Sequence, residues 1–268
     1  MCVKNLTLAP DKKVFFASDF HLGAPDYAQS RLREQKVVHW LESIQHQAGA
    51  IFLLGDIFDF WFEYRLAVPK GYVRLLGKLA QITDQGIPVF VFVGNHDMWM
   101  FDYLTREMGI PVFYQPQAWS INGKKFWIGH GDGLGPGDYT YKFLKQLFRN
   151  RFFQWLFARL HPNLGIGLAS FFSRRSRARN LRHHKEEVFL GEKEWLWQYC
   201  QEMEKKQPYD YYVFGHRHLP LDLPVGPQSR YINLGEWLKA DTYAVFDGQQ
   251  LYLTKFESQW QEPSPFSS

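Results

Sequence analysis

The chain has 268 residues, of which 46% are hydrophobic and 22% charged, and its formal net charge is +4. These values are typical of a folded globular protein and exclude a disordered chain. Two cysteines, Cys2 and Cys200, are too few for a disulfide framework, so nothing implies an oxidising compartment. No signal peptide and no apolar run of about 18 residues is found, so we expect a cytoplasmic protein.

The first half of the chain alternates short apolar runs with helical patterns. Strands are predicted at residues 13–17, 50–54 and 88–93, and helices at residues 29–47 and 71–85. Near-continuous apolar strands separated by helices are typical of a sheet that βαβ crossovers bury on both faces. We therefore expect a largely parallel sheet in this half.

The second half changes character. Asn122-Gly123 and Asp247-Gly248 each separate two apolar runs, which is a strong hairpin signal. Between the hairpins lies a helical, basic and aromatic stretch. We therefore expect mixed sheets with outer helices, interrupted by a helical insertion that forms a lid. The predicted parts are a core of residues 1–138 and 208–257, an insertion of residues 139–207, and a flexible tail of residues 258–268.

Five short segments place Asp, Asn or His beside a glycine or at the end of an apolar run. They are residues 18–21 (SDFH), 55–59 (GDIFD), 94–97 (GNHD), 129–132 (GHGD) and 215–218 (GHRH). Side chains at i and i+2 of an extended strand share a face, so Asp19 can converge with His21, and His216 with His218. Four of the five segments follow predicted strands, where ligands of open α/β sheets bind.

A dinuclear metal centre explains this set of residues. The first cation would bind Asp19, His21, Asp56 and His218. The second would bind Asp56, Asn95, His130 and His216, so that Asp56 bridges. Two cations lower the pKa of a shared water and neutralise phosphoryl oxygens. Oxygen and imidazole ligands without thiolate suit Mn²⁺, our first choice, or Fe, Zn or Mg. A single Gly-Asp or Gly-His is usually only a turn, so the prediction depends on all five segments together.

The order D-x-H, GDxxD, GNHD, HGD and GHxH over residues 13–218 resembles the calcineurin-like metallophosphoesterases. The resemblance implies an α/β fold with a four-layer αββα sandwich, a metal-dependent phosphoesterase activity and the seven ligands named above. It also implies that His96 assists the leaving group or a phosphoryl oxygen and that Asp97 orients it. A histidine paired with a carboxylate is suited to general acid catalysis near neutral pH.

A narrower resemblance is to the UDP-2,3-diacylglucosamine hydrolases of lipid A biosynthesis. Residues 18–23 (SDFHLG), residues 55–62 (GDIFDFWF) and the place of the insertion carry it. It implies hydrolysis of UDP-2,3-diacylglucosamine to UMP and 2,3-diacylglucosamine 1-phosphate. Together with the basic insertion, this leads us to expect a cytoplasmic enzyme that can also lie peripherally on the inner membrane. The implied substrate contacts are Asp138, Tyr141, Ser176, Asn180, His183 and Lys185.

Two departures from that family indicate a divergent branch or a sister activity. His96 stands where better-known members have Arg, so the phosphate contact differs or a general acid has been regained. His183 stands where the family has Lys, three positions after Asn180.

The insertion itself favours a lipid substrate. Residues 139–185 contain eleven Lys or Arg, no Asp or Glu, and many Phe, Trp and Leu residues. An apolar slot with a cationic rim would hold acyl chains and a diphosphate, and such helices could also rest on an anionic membrane. A lid that packs on the core and exposes a basic face remains an alternative.

A nuclease or nucleotide phosphodiesterase is the competing class, since the basic residues could bind a nucleic-acid backbone. Clustered apolar residues, rather than aromatic residues spaced among polar ones, argue against nucleic acid as the partner. A non-catalytic scaffold is disfavoured because no ligand position is lost. The sequence leaves the oligomeric state open.

Overall fold

The computed structural model describes residues 3–137, 139–169, 171 and 188–257. Its strands are β1 (Lys4–Leu6), β2 (Lys13–Ala17), β3 (Ala48–Leu54), β4 (Val89–Phe92), β5 (Val112–Phe113), β6 (Gln117–Ile121), β7 (Lys124–Ile128), β8 (Tyr211–Phe214), β9 (Pro220–Pro224), β10 (Arg230–Leu234), β11 (Thr242–Phe246) and β12 (Leu251–Lys255). Its α-helices are α1 (Tyr27–Ile44), α2 (Val73–Asp84), α3 (Tyr103–Met108), α4 (Tyr139–Arg149), α5 (Arg151–Phe157), α6 (162–169) and α7 (Trp195–Lys206).

The strands form two mixed sheets. The first sheet has the order β12-β11-β2-β3-β4-β5, and the second has the order β1-β6-β7-β8-β10-β9. Strands β2, β3 and β4 pair in parallel, which confirms the predicted parallel sheet. Strands β6 and β7, and β11 and β12, pair antiparallel across Asn122-Gly123 and Asp247-Gly248, which confirms both hairpins.

The two sheets pack face to face with helices outside. Phe52 and Phe16 of the first sheet stack on each other between the sheets, with ring centroids 5.1 Å apart. Phe52 also contacts Trp119 of the second sheet edge-on, with ring centroids 4.9 Å apart. Helices α1 and α2 cover the outer face of the first sheet, for example with Trp40. Helix α7 covers the outer face of the second. The predicted four-layer αββα sandwich is confirmed.

The packing of α7 differs from its predicted place in the insertion. Leu196 and Cys200 are fully buried on the second sheet, against residues such as Tyr212. Helix α7 therefore forms part of the outer layer of the sandwich, while the boundary of the insertion at residue 207 stays a prediction. Helical periodicity alone did not reveal this, because it does not say on which surface a helix packs. Within the described residues, no helix has both the length and the apolar character required to cross a bilayer.

Candidate metal centre

All five candidate segments lie at the carboxyl ends of parallel strands. Three follow β2, β3 and β4 of the first sheet, and two follow β7 and β8 of the second. Because the sheets are stacked with these ends on the same side, the segments meet at one edge of the sandwich. The sequence placed four of the five at strand ends, whereas the structure places all five there.

The candidate ligands lie in sharp turns, not in extended strands as the i, i+2 argument assumed. Non-glycine residues rarely adopt positive φ, and each instance costs about 1–3 kcal/mol unless the surroundings enforce it. Five of the candidate ligands do so: Asp19 (56°), His21 (45°), Asp56 (50°), His216 (68°) and His218 (53°). Both predicted pairs still converge, but left-handed turns bring them together.

Two glycines let the strand ends approach each other. A Cβ atom on Gly55, whose φ is 85°, would lie 2.6 Å from Nδ1 of His130. A Cβ atom on Gly94 would collide with the carboxylate of Asp56. These contacts explain the glycine in the GD and GN segments, because any side chain there would push the ligand-bearing turns apart.

The first group of ligand atoms joins both sheets. The Nε2 atoms of His21 and His218 are 2.9 Å apart, and Nε2 of His218 is 3.2 Å from Oδ1 of Asp19. Oδ2 of Asp56 lies 3.7 Å from Nε2 of His21. One atom from each of these four residues lies within 4.8 Å of all the others. Asp19 is fully buried, and its Oδ1 faces the Nε2 atoms of both histidines, as expected of an atom directed at a shared cation.

The second group shares Asp56 with the first. Asp56, His130 and His216 again bring ligand atoms within 4.8 Å of one another. Nε2 of His130 lies 3.5 Å from Oδ2 of Asp56 and 3.3 Å from Oδ1 of Asn95. Nδ1 of His130 is 2.6 Å from the carbonyl oxygen of Leu54, to which it donates in the tautomer that leaves the Nε2 lone pair facing the centre.

The protonation states of the carboxylates suit cation binding. Burial raises the pKa of Asp19, but hydrogen bonds from His21 and His218 outweigh burial and hold that pKa below its usual range. Burial also raises the pKa of Asp56, but the nearby charge of His130 and other histidines holds it well below the usual value. Ionised oxygen ligands combined with imidazole nitrogens fit a pair of divalent cations.

The two histidines of the second group titrate in opposite directions. Burial lowers the pKa of His216, and the charge of His130 adds to this, so that the pKa falls to about 4. Burial also lowers the pKa of His130, but the carboxylate of Asp56 outweighs burial and raises it to about 10. His216 is therefore already in the neutral form that metal binding requires, whereas His130 must release a proton.

Asp97 organises the backbone around Asp56 and is itself fully buried. Its carboxylate accepts hydrogen bonds from the backbone N–H groups of Gly94 (2.7 Å), Ile57 (2.8 Å), Asp56 (3.3 Å) and Phe58 (3.4 Å). Burial, with the charge of Asp56, raises the pKa of Asp97 to about 7. These contacts differ from the expectation that Asp97 orients His96, because its carboxylate is directed at the backbone.

The carboxylate next to His96 belongs to Asp59. Nδ1 of His96 lies 3.0 Å from the backbone oxygen of Asp59 and 3.6 Å from its Oδ1. The same Oδ1 is 3.7 Å from Nδ1 of His21. Sequence reasoning quoted Asp59 as the second Asp of GDxxD but assigned it no role. Its position connects a candidate ligand with the candidate general acid.

A second residue that the sequence did not indicate is Arg33 of α1. Its buried guanidinium donates to the backbone oxygens of Phe20 (2.6 Å), His21 (2.8 Å) and Ala24. It therefore holds the turn that carries the first two candidate ligands. A lone Arg within a helical pattern gives no sign of this role.

Of the six predicted substrate contacts, only Tyr141 is among the described residues. Its hydroxyl donates to Oδ2 of Asp132, 2.6 Å away, in the HGD segment. Nζ of Lys145 is 2.5 Å from the same oxygen. The predicted contacts that lie outside the described residues are Asp138, Ser176, Asn180, His183 and Lys185.

The start of the insertion contacts the core through lysines and through some of its aromatic residues, and it exposes many of its other apolar side chains. On the core side of α4, Lys142 and Lys145 donate to the backbone oxygens of Gly135 (2.5 Å) and Asp132 (2.8 Å). In α5, Phe157 packs on Phe62 and Trp99 with ring centroids 4.7 and 4.9 Å apart. The most exposed apolar side chains of these two helices are Tyr139 (79%), Phe143 (66%), Phe152 (61%) and Trp155 (53%). A cluster of exposed apolar side chains of this kind is typical of a surface for an apolar ligand or partner.

The fold and the site define a class of protein. The profile of the calcineurin-like phosphoesterases matches residues 12–220, and the chain belongs to this family of hydrolases. A UDP-2,3-diacylglucosamine hydrolase from Porphyromonas gingivalis is 40% identical to the chain over 256 residues, which cover 91% of the chain and 98% of the relative. Another, from Azotobacter vinelandii, is 28% identical over 244 residues, which cover 89% of the chain and 96% of the relative.

The solved structures that match this chain share little sequence identity with it. Vacuolar protein sorting 29 from Cryptosporidium parvum is 12% identical with a TM-score of 0.43, and the match covers 92% of this chain and 98% of that one. A dimetal phosphatase from Danio rerio is 10% identical with a TM-score of 0.40, and the match covers 93% of this chain and 100% of that one.

Proposed function

We propose that the chain hydrolyses the pyrophosphate bond of UDP-2,3-diacylglucosamine, with UMP and 2,3-diacylglucosamine 1-phosphate as products. The observation that carries this proposal is the outward-facing apolar surface of α4 and α5 next to a phosphoesterase centre. A substrate with two acyl chains beside a diphosphate needs both features. The relatives that share 40% and 28% identity with the chain carry this activity in their names.

The proposed centre binds two divalent cations, with Mn²⁺ as the first choice. The ligands of one are Asp19, His21, Asp56 and His218, and those of the other are Asp56, Asn95, His130 and His216. Bound cations supply an activated water and neutralise charge on the phosphoryl oxygens. The chain contributes the rigid turns, the shared carboxylate and the tautomer of His130 that fix the two positions.

His96 is the proposed general acid. Asp59 contacts Nδ1 of His96 and so fixes the orientation of the imidazole ring. The ring lies at the rim of the centre, and the His96 side chain is 21% exposed. A proton at Nε2 can pass to the oxygen of the departing phosphate, which would otherwise leave with an uncompensated charge. Asp59 keeps the ring in orientation, and it acts on His21 in the same way through Nδ1.

The insertion is the proposed acyl-chain site, with Asp138, Tyr141, Ser176, Asn180, His183 and Lys185 as substrate contacts. Each CH₂ group that leaves water contributes about 0.8 kcal/mol, so acyl chains supply binding energy far from the reacting bond. That energy can hold the diphosphate in place over the centre. Arg151 and Arg159, beside the exposed apolar residues, also suit a peripheral contact with an anionic membrane surface.

The test is incubation of the Mn²⁺-loaded protein with UDP-2,3-diacylglucosamine, followed by mass spectrometry. We expect UMP and the acylated sugar phosphate in equal amounts, and no cleavage of single-stranded DNA. UDP-N-acetylglucosamine, which lacks the acyl chains, is the matched control and should be a much poorer substrate. Cleavage of DNA without release of UMP would instead favour the nuclease alternative.

A further inference from the structure

Arg217 separates two candidate ligands and points away from them. His216 and His218 direct their rings into the centre, whereas the Arg217 side chain is buried on the other side of the turn. Its Nε donates to Oε1 of Glu194, 2.7 Å away, and its guanidinium lies 5.0 Å from the ring centroid of Trp195. Glu194 is also fully buried and immediately precedes α7.

The turn around Arg217 needs an anchor. His216 and His218 have φ values of 68° and 53°, so left-handed residues flank Arg217 on both sides. Such a conformation persists only where the surrounding structure enforces it. A buried charge pair is a strong constraint, because moving Arg217 would leave the fully buried Glu194 carboxylate without its counterion.

The same end of α7 also supports the turn that follows His130. A Cβ atom on Gly131 would lie 2.9 Å from Cδ2 of Leu196, and one on Gly135 would collide with the backbone oxygen of Trp195. The start of α7 is therefore in tight contact with both ligand-bearing turns of the second sheet. In addition, Nη2 of Arg217 donates to the backbone oxygen of Val188, 2.6 Å away, in the segment that returns from the insertion.

We propose that the Glu194–Arg217 pair positions His216 and His218 for cation binding and connects both ligands to the segment returning from the insertion. These are positioning residues, since neither is a candidate ligand. The inference depends on the ligands assigned under the proposed function. Partners that orient metal ligands typically change metal affinity by about 10–100-fold when they are mutated.

The experiment compares Glu194→Gln and Arg217→Lys with the unmodified chain. Cation dissociation constants from chelator competition should rise about 10–100-fold, and the visible absorption of the Co²⁺-substituted protein should change. Arg217→Lys should not rescue affinity, because a compact ammonium cannot donate to Glu194 and Val188 at once in the way that the planar guanidinium over Trp195 does. At saturating Mn²⁺, kcat should fall more than KM rises.

A double variant separates positioning from folding. Glu194→Leu/Arg217→Leu should fold, because apolar residues often replace a buried ion pair without loss of stability, yet it should still bind cations weakly. Asp222→Asn is the matched control, because it breaks the exposed pair with Arg230 on the same sheet and should leave cation affinity unchanged.

The outcomes separate this inference from the ligand assignment itself. The positioning role requires the cation affinity to fall about tenfold or more. Folded variants whose affinities stay within about twofold of the unmodified chain would therefore overturn that role. If Asp56→Ala loses metal in the same experiment, the ligand assignment still stands. Two cations retained by Asp56→Ala would instead overturn the ligand assignment. If no variant folds, including the apolar double variant, the positioning role is also overturned. The Glu194–Arg217 pair would then act only by stabilising the fold.

Discussion

The Nε2 atoms of His21 and His218 lie 2.9 Å apart, although 197 positions separate the two residues in the chain. His21 follows β2 of the first sheet, and His218 follows β8 of the second. A cation held by both histidines would therefore link the first sheet to the second at this edge of the sandwich. Cation binding should consequently stabilise the fold as well as serve catalysis.

Removal of the cations should lower the melting temperature. A ligand at about 1,000 times its Kd stabilises the native state by about 4 kcal/mol, and for a chain of this size that corresponds to a Tm shift on the order of 10 °C. Calorimetry with a chelator and then with restored Mn²⁺ measures the shift. An unchanged Tm in protein shown by elemental analysis to be metal-free would contradict the proposed bridge between the sheets.

Asp56→Ala should abolish activity and lower the bound metal from about two cations per chain toward one or none. The carboxylate belongs to both groups of ligand atoms, so both cations lose a ligand. Elemental analysis of the purified variant gives the stoichiometry, and Asp222→Asn serves as a control. Two bound cations with near-normal turnover would show that Asp56 does not bridge.

His96→Ala should keep its cations, but its rate of hydrolysis should fall about 10²–10⁴-fold, as expected for loss of a general acid. Asp59→Asn should lose less, because its backbone oxygen still holds Nδ1 of His96. Initial rates with both cations bound measure the effect. Restored or improved turnover in His96→Arg would identify a phosphate contact at this position instead of an acid.

Asp97→Ala should destabilise the chain and disturb cation binding. Without the carboxylate, the buried N–H groups of Ile57 and Gly94 lose their acceptor, which costs about 1–3 kcal/mol for each group. Chemical denaturation and elemental analysis measure the two effects. A variant with normal stability and normal cation content, but with the slow rate of His96→Ala, would restore the role of Asp97 in orienting His96.

The triple variant Phe143→Ser/Phe152→Ser/Trp155→Ser should fold normally, because all three side chains are exposed. Its kcat/KM for UDP-2,3-diacylglucosamine should fall at least about tenfold, since a drop of 1.4 kcal/mol in remote binding energy already gives that factor. Hydrolysis of a small chromogenic phosphodiester should be unchanged.

The matched control for the apolar face is Leu66→Ser/Val73→Ser. These side chains are even more exposed, at 88% and 73%, but lie outside the insertion. An equal loss in the control, or no loss in the triple variant, would show that the apolar face of α4 and α5 does not hold the acyl chains.

The sequence by itself determined the features that are local in the chain. Apolar runs and turn residues predicted β2, β3, β4 and both hairpins, because hydrophobic periodicity and turn chemistry are properties of neighbouring residues. The short segments with Asp, Asn and His named seven candidate ligands, since each ligand type stands next to the turn that positions it. These residues are the ones that the structure brings together at one edge of the sandwich.

Only the tertiary structure decided which distant groups meet. The carboxylate beside His96 is Asp59 and not its neighbour Asp97, because the Asp97 carboxylate accepts hydrogen bonds from the backbone of the turn after β3. Helix α7 covers the second sheet, although its sequence reads as a continuation of the insertion. Arg217 and Glu194 form a buried pair across 23 positions. A buried polar group takes whichever partner the packing of remote segments places within reach, and no local pattern records that choice.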